Sequence, residues 1–402
     1  MLSNVRVLDL TRVVAGPWAT QTLADLGAEV IKVEKPTEGD DTRRIGPFVK
    51  DSAGRQTNES AFYLACNRGK RSVTIDIASE RGQALIRDLA AQCDIFVENY
   101  KAGSLARYGL DYAAIRAVNP RIIYCSVTGF GGDGPYANRP AYDFILQGMS
   151  GLMSMCGHPD GAPGAGPMRT AVPITDITTG LYATISILGA LIHRSQTGLG
   201  QFIDAAMIDA AVALTGHLAI GYLMTGKVPP RIGNANPIAS PSEVHTTADG
   251  QIIVAAGNDG QFKALASAIG EPQLPDDARF RSNSDRVRNR RELYPIIADR
   301  IGVRPSSYWV DRLSAAGVPC GPINELDAVF DDPQVRHRGI ELKIPSAHGV
   351  EVPGLKSPLN LSEAPVAYRA PPALGEGTDE VLRKLLNLTD DQIARLRAES
   401  VI

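Results

Sequence analysis

The chain has almost no surplus of charge: 41 Lys and Arg stand against 44 Asp and Glu, a net charge of −3 at pH 7. So weak a field excludes a general binder of nucleic acid or of anionic membrane. Cysteine is scarce. The five (Cys66, Cys93, Cys125, Cys156, Cys320) are odd in number, widely separated and never in a C-x-x-C pair. That excludes a disulfide framework and a cysteine zinc site, and it reads as buried thiols in a reducing, cytoplasmic compartment. The six histidines stand singly, without H-E-x-x-H or H-x-H spacing, so no metal chemistry is indicated. A G-x-S-x-G elbow and a G-x-x-x-x-G-K-[ST] loop are both missing, which removes the starting residues of serine hydrolases and P-loop enzymes. The first ten residues lack the basic, apolar and small-residue order of a signal peptide. The most apolar run, Ile177 to Ile192, falls short of the roughly 20 residues that span a bilayer and reads as a buried helix. Ile203 to Met224 reads the same way, and the two together suggest a helical hairpin within the core.

What is present is a hydrophobic content of 44% over 402 residues, enough for a full core in one to three domains. The first 130 residues alternate in type. Val5–Leu10, Ala28–Glu34, Ser72–Ile75, Ile95–Val97 and Ile122–Val127 read as strands. Between them, Pro17–Leu26, Ser79–Gln92 and Tyr112–Val118 read as helices, the first stopped by Gly27 and the second capped by Ser79. Such alternation predicts an α/β fold with a parallel sheet covered on both faces. Residues 1–226 are assigned to a large Rossmann-like domain, and the proline-rich segment 227–242 to a linker. Glu243–Thr247 and Gln251–Ala256 flank Asp249-Gly250 as a hairpin, opening a smaller α+β domain over 243–315. Residues 316–402 return to the large domain, with an extended stretch at 361–372 and short helices at 378–386 and 389–399.

Two features invite a chemical reading. Gly129-Phe-Gly131-Gly-Asp-Gly134 matches a dinucleotide fingerprint and follows a strand. However, Pro135 to Pro140 replaces the helix the motif needs, and no acidic partner follows, so it reads as a loop. Asp176 stands where an extended run meets the most apolar helix. As an N-cap it would be kept ionised by helix N–H groups and the helix dipole. As a poorly solvated carboxylate it is also a candidate nucleophile, and the residue pattern allows both roles.

Val7-Leu-Asp-Leu-Thr-Arg12-Val-Val-Ala-Gly16-Pro17, followed by Leu26-Gly-Ala-Glu-Val-Ile-Lys-Val-Glu34, resembles the opening of the class III CoA-transferases. Further motifs agree in order: Asn67-Arg-Gly-Lys70-Arg71, Val97-Glu98-Asn99-Tyr100, Tyr142-Asp143, Thr175-Asp176-Ile177, Thr197-Gly-Leu-Gly200-Gln201 and Gly317-Val-Pro-Cys-Gly321-Pro322. The resemblance spans essentially the whole chain. It implies that Asp176 is the catalytic aspartate, passing through aspartyl-anhydride and aspartyl-CoA thioester intermediates. It implies main-chain donors near Val14 and Ala15 for the oxyanion. Lys35, Lys70 and Arg107 would contact CoA phosphates, although singly Lys35 or Arg107 reads as a solvated surface charge. Asn67, Arg68 and Gly69, then Asn99, Tyr100 and Lys101, then Pro140, Ala141, Tyr142 and Asp143 would line the nucleotide and pantetheine. Gly257-Asn258-Asp259-Gly260 is similar to a mobile loop that covers the site; without the resemblance it is an ordinary hairpin exit.

The resemblance also implies an interlocked homodimer and CoA as a carried substrate, with no tightly bound cofactor. The look of Gly257 to Phe262 and of Asp332 to Gly339 is closest to the succinyl-CoA:dicarboxylate branch, with acceptors such as glutarate, itaconate or malate. The formyl-CoA/oxalate branch, an alternative, usually carries several glycines where Asn258-Asp259 stand. The α-methylacyl-CoA racemases share the fold but place a histidine where Tyr142 precedes Asp143; the nearest histidine here is His158. Arg169 and Arg231 are candidates for the acceptor's distal carboxylate. A CoA-binding homologue without activity is disfavoured by the presence of Asp176.

Overall fold

The computed structural model describes residues 1–402, which divide into two compact units. The larger comprises residues 1–152, 169–226 and 336–402, and the smaller 153–168 and 227–335. The proline-rich segment 227–242 carries no regular element until a strand starts at its last residue, Ser242, and it groups with the smaller unit rather than standing between two. The smaller unit also extends to residue 335 and takes in the excursion 153–168, which the sequence pattern gave no means of seeing.

The larger unit is built on six strands: β1 (Arg6–Asp9), β2 (Glu29–Glu34), β3 (Arg71–Thr74), β4 (Ile95–Glu98), β5 (Ile123–Thr128) and β6 (Phe202–Ala206). Every pairing is parallel and the order is β3-β2-β1-β4-β5-β6. This is the doubly wound Rossmann order, in which the chain reverses direction between β1 and β4 and leaves a crevice beyond the carboxyl ends of those strands. In β1, Val7 and Leu8 point to opposite faces and both are fully buried, so each face has its own core. On one face lie the helices Glu80–Ala91, Tyr112–Val118, Thr378–Leu386 and Asp390–Ala398. On the other lie α1 (Ala15–Asp25) and, after α2 (Asp143–Met149), the long helix α3 (Ile174–Thr197).

Two sequence expectations change here. Alpha-helix α3 is longer than its apolar run, and only one face of it is buried, through Thr179, Ala183, Ile187 and Ala190, while Leu181, Ile185 and Ile192 are exposed. Nor does residue 203 onward form the partner of a helical hairpin. Phe202–Ala206 is strand β6, laid parallel to β5, and α4 (Met207–Ala213) and α5 (Gly216–Thr225) follow, bent by 77°. Apolarity without a clear period does not separate a strand from a helix, and Phe202-Ile203 starts on the strand side of that ambiguity. By length and composition α3, and α4 with α5 if joined, are long and apolar enough to cross a membrane. Of the thiols, Cys66, Cys93 and Cys125 are buried, whereas Cys156 is exposed and Cys320 half-buried.

The smaller unit contains the expected hairpin, β7 (Ser242–Thr246) and β8 (Gln251–Ala255), joined on β8 by the short strand β9 (Cys320–Pro322). Helix α6 (Asp259–Ala268) and α7 (Arg290–Ile301) bury Phe262, Leu265, Leu293 and Ile297 in its core.

Candidate active site

The crevice at the β1/β4 reversal is shaped first by the turn after β1. That strand ends in Asp9, fully buried, whose carboxylate meets Lys70 at 3.1 Å and accepts hydrogen bonds from Thr11 and Thr20. Alongside, the Lys32 ammonium donates to the Thr11 carbonyl and to Asp40, both at 2.8 Å. These paired charges hold Asp9 and Asp40 below the usual carboxylate range despite burial, Asp40 at about 2. The chain then passes through Val13 at φ +70°, a left-handed conformation that a β-branched residue rarely adopts, and enters α1. No side chain caps α1, and Pro17 has no N–H. The amides of Val14 and Ala15 find no acceptor in the chain, so the helix offers an anion-binding terminus.

Asp176 comes from the start of α3. It is the third residue of the helix; Pro173 occupies the cap position, and no side chain of its own caps the helix. Capping is done by Asp143 from α2, which accepts from the Thr175 amide at 2.8 Å and its hydroxyl at 2.5 Å. Gln147 donates to Asp143 at 2.7 Å and accepts from the Thr170 amide at 3.0 Å, locking the approach to α3. The expected N-cap role therefore belongs to Asp143, and Asp176 is left half-buried without a hydrogen-bond donor. Burial, with the Asp143 charge nearby, pushes its carboxyl up to about 7 rather than keeping it fully ionised at neutral pH. One turn later Gly180 allows close approach: a Cβ there would lie 2.7 Å from the Ala15 carbonyl oxygen. That contact presses the open ends of α1 and α3 together.

The result is a cavity of about 480 Å³ that Asp176 shares with the 12–15 turn. It gathers, of the residues expected from sequence, Val14, Ala15, Asn99, Tyr100 and Lys101. Pro140, Ala141 and Tyr142 border it as well. Tyr100 is held by Glu98, whose carboxylate accepts the Tyr100 amide at 2.7 Å and is pushed up to about 7 by burial. Three charged residues at the rim had been missed: Arg12, Asp41 and Arg139. Arg12 pairs with Asp41 at 3.2 Å and lies over the Tyr100 ring, whereas Arg139 stacks on Tyr136 and meets no carboxylate. Arg12 stands inside the opening motif and Arg139 next to Pro140, and those positions were the only signal in the sequence.

Other expected residues lie elsewhere. Lys70 is fully buried, donating to Asp9, the Pro17 carbonyl and Asn67, and burial pushes its amine down to about 8; it staples α1 to β1. Asn67 is buried between Lys70 and the Tyr63 carbonyl, and Gly69 donates to the Arg369 carbonyl. Arg68 pairs with Asp25 at 2.5 Å. Lys35 is an exposed partner of Glu38, and Arg107 stacks on Tyr108. Asp143 supports Asp176 from behind, through Thr175. Gly257–Gly260 is in the smaller unit and forms the start of α6: Asn258 caps the Gln261 amide at 2.8 Å, and Asp259 pairs with Arg286. It follows the hairpin strand β8 and serves as a capped helix start. Arg231 is engaged by Asp160 within the smaller unit, and Arg169 lies over the Phe144 ring in the larger. After β5, Gly129–Gly134 forms a loop without a following helix, tied by Gly132 to Asp204, so the nucleotide-fingerprint match carries no such site.

A succinate–glutarate CoA-transferase of Agrobacterium fabrum is 45% identical over 96% of this chain and 95% of its own. A human succinyl-CoA:glutarate CoA-transferase is 42% identical over the whole chain and 90% of its own. The crystal structure of a CAIB/BAIF family protein from Brucella suis superposes with a TM-score of 0.85 at 44% identity, covering 96% of this chain and 99% of that one. The model of CoA-transferase family III matches residues 2–378, and the chain belongs to that family.

Proposed function

We propose that the protein moves CoA from succinyl-CoA to glutarate or a related dicarboxylate such as itaconate, with Asp176 as nucleophile. The observation that carries this reading is the placement of a donor-free carboxylate in one cavity with the uncapped amides of Val14 and Ala15. The ionised Asp176 attacks the thioester carbonyl, and the oxyanion formed is met by those amides. Collapse expels CoA thiolate and leaves a mixed aspartyl-succinyl anhydride. The thiolate attacks the aspartyl carbonyl, giving an aspartyl-CoA thioester and releasing succinate. The acceptor carboxylate displaces CoA from that thioester, forming a second anhydride. The thiolate finally attacks the new acyl group, giving the new acyl-CoA and free Asp176. Lys101 and Arg139, which border the cavity without carboxylate partners, suit the CoA phosphates. The relatives named for glutarate support the acceptor class. No histidine borders the cavity, which disfavours a two-base racemase.

The test is a chromatographic assay of succinyl-CoA with glutarate, itaconate, malate, mesaconate and oxalate. New acyl-CoA matched by free succinate is expected, with glutarate among the best acceptors. Asp176→Ala is expected to abolish transfer, and hydroxylamine added during turnover to convert Asp176 to a hydroxamate seen by mass spectrometry. Turnover by the alanine variant would remove Asp176 from this role.

A further inference from the structure

The turn between β1 and α1 is bound more heavily than a loop of its length needs. Three successive residues are fixed from three different places. Lys32 on β2 donates to the Thr11 carbonyl at 2.8 Å, and the Val13 amide reaches Asp40 at 3.3 Å. Between them, the Asn99 side chain clasps the backbone of Arg12 at both ends: the Arg12 amide donates to Oδ1 at 2.9 Å, and Nδ2 donates to the Arg12 carbonyl at 2.7 Å. Asn99 directly follows β4, so this reciprocal pair bridges the two sides of the chain reversal, 87 residues apart. Its amide is turned to backbone, although the residue borders the cavity. The residue it holds precedes Val13, whose φ of +70° favours glycine and persists in valine only when its surroundings enforce it.

We propose that Asn99 is a positioning residue: by clamping Arg12 it holds Val13 in its left-handed conformation, and this sets the Val14 and Ala15 amides where the oxyanion on Asp176's target forms. This inference rests on the transfer reading above and assigns Asn99 a task other than contact with CoA. Only an amide fits the arrangement, because one group must accept from the N–H and the other donate to the C=O of a single residue.

The full-length protein and its Asn99→Ala, Asn99→Asp, Val13→Gly and Val13→Gly/Asn99→Ala variants are compared in kcat and KM for succinyl-CoA, in CoA affinity by calorimetry and in melting temperature. Loss of well-aimed oxyanion donors is expected to lower kcat of Asn99→Ala about 10- to 100-fold, while the Kd for CoA stays within about twofold. Asn99→Asp keeps the acceptor but loses the donor, and is expected to lower kcat by at least about fivefold with the same unchanged Kd. Glycine adopts φ +70° without strain, so Val13→Gly is expected to restore at least about fivefold of the kcat lost in Asn99→Ala. A raised KM and weakened CoA binding with kcat intact would make Asn99 a substrate contact and overturn the proposal, as would a double variant no faster than Asn99→Ala. Absence of transfer by the unaltered protein with every acid would instead count against the transfer reading, so the two failures are distinguishable.

Discussion

Asp176 combines two properties that usually oppose each other, a carboxylate meant to attack and surroundings that favour its proton. Its carboxyl is pushed up to about 7, by burial first and by Asp143 second. Because only the ionised form is a nucleophile, kcat/KM is expected to fall about tenfold per pH unit below about 7 and to level off above it. A flat profile from pH 5.5 to 8 would separate Asp176 from the rate. The same shift bears on stability. An acid whose value rises on folding from 3.8 to about 7 holds its proton more tightly when folded. Its stabilising contribution is complete below about pH 4 and is lost as pH rises through 7. Asp176→Asn therefore removes a cost at pH 8, and with the half-exposed position taken into account the expected gain is on the order of 2 kcal/mol. Urea melts at pH 8 and at pH 4 measure it; the variant's advantage should vanish at the lower pH. A variant no more stable at pH 8 would mean that Asp176 is better solvated than its position implies.

Among the elements, α3 shows how sequence pattern and packing divide the information. Most strands and helices of the first 130 residues were legible within a residue or two, because strand and helix periods alternate there and caps such as Ser79 are local signals, but the hairpin strands Phe48–Lys50 and Gln56–Ser60 and the short helix Ala61–Cys66 were not read. Asp176, Asn99 and Tyr142, singled out by their motifs, border one cavity. Lys70 was expected at the CoA phosphates, and its buried pairing with Asp9 was not legible, because only the fold shows that Asp9 lies opposite it. The exposure of one face of α3 and the strand at β6 were hidden for the same reason, since apolar residues do not state which surface they meet. Two glycines of α3 make the point experimentally. At Gly180 a Cβ would sit 2.7 Å from the Ala15 carbonyl oxygen, backbone that moves only if α1 moves. Gly180→Ala is expected to cost about 1–3 kcal/mol and to lower kcat by displacing the α1 amides. At Gly189 nothing lies within 4 Å, so Gly189→Ala is expected to gain about 0.5–1 kcal/mol from helix propensity alone. Thermal melts of the two variants should move in opposite directions, and movement in the same direction would refute the close-approach argument.

At the scale of the whole molecule, the larger unit carries an apolar surface that a folded chain in water seldom leaves open. Ile185 and Ile192 on α3 are 61% and 62% exposed, and Leu223 and Met224 at the end of α5 are 74% and 80% exposed. Single apolar residues at a surface are ordinary, but four of this size on two helices are candidates for a surface that another chain covers. A second copy of the chain is the occupant that the family resemblance implies, and burying apolar area at about 25 cal/mol per Å² supplies a driving force for it. The unaltered protein is then expected to run as a dimer in light scattering at micromolar concentration. Leu223→Glu places a charge on the face that a partner would cover, and desolvating an unpaired carboxylate there costs several kcal/mol. The variant should shift toward the mass of one 402-residue chain, with its far-ultraviolet circular dichroism retained. An unaltered protein already monomeric, or a variant still fully dimeric, would show that this face does not join two copies. The same preparation decides whether turnover follows assembly, since a monomeric variant with full kcat would place every reacting group within one chain.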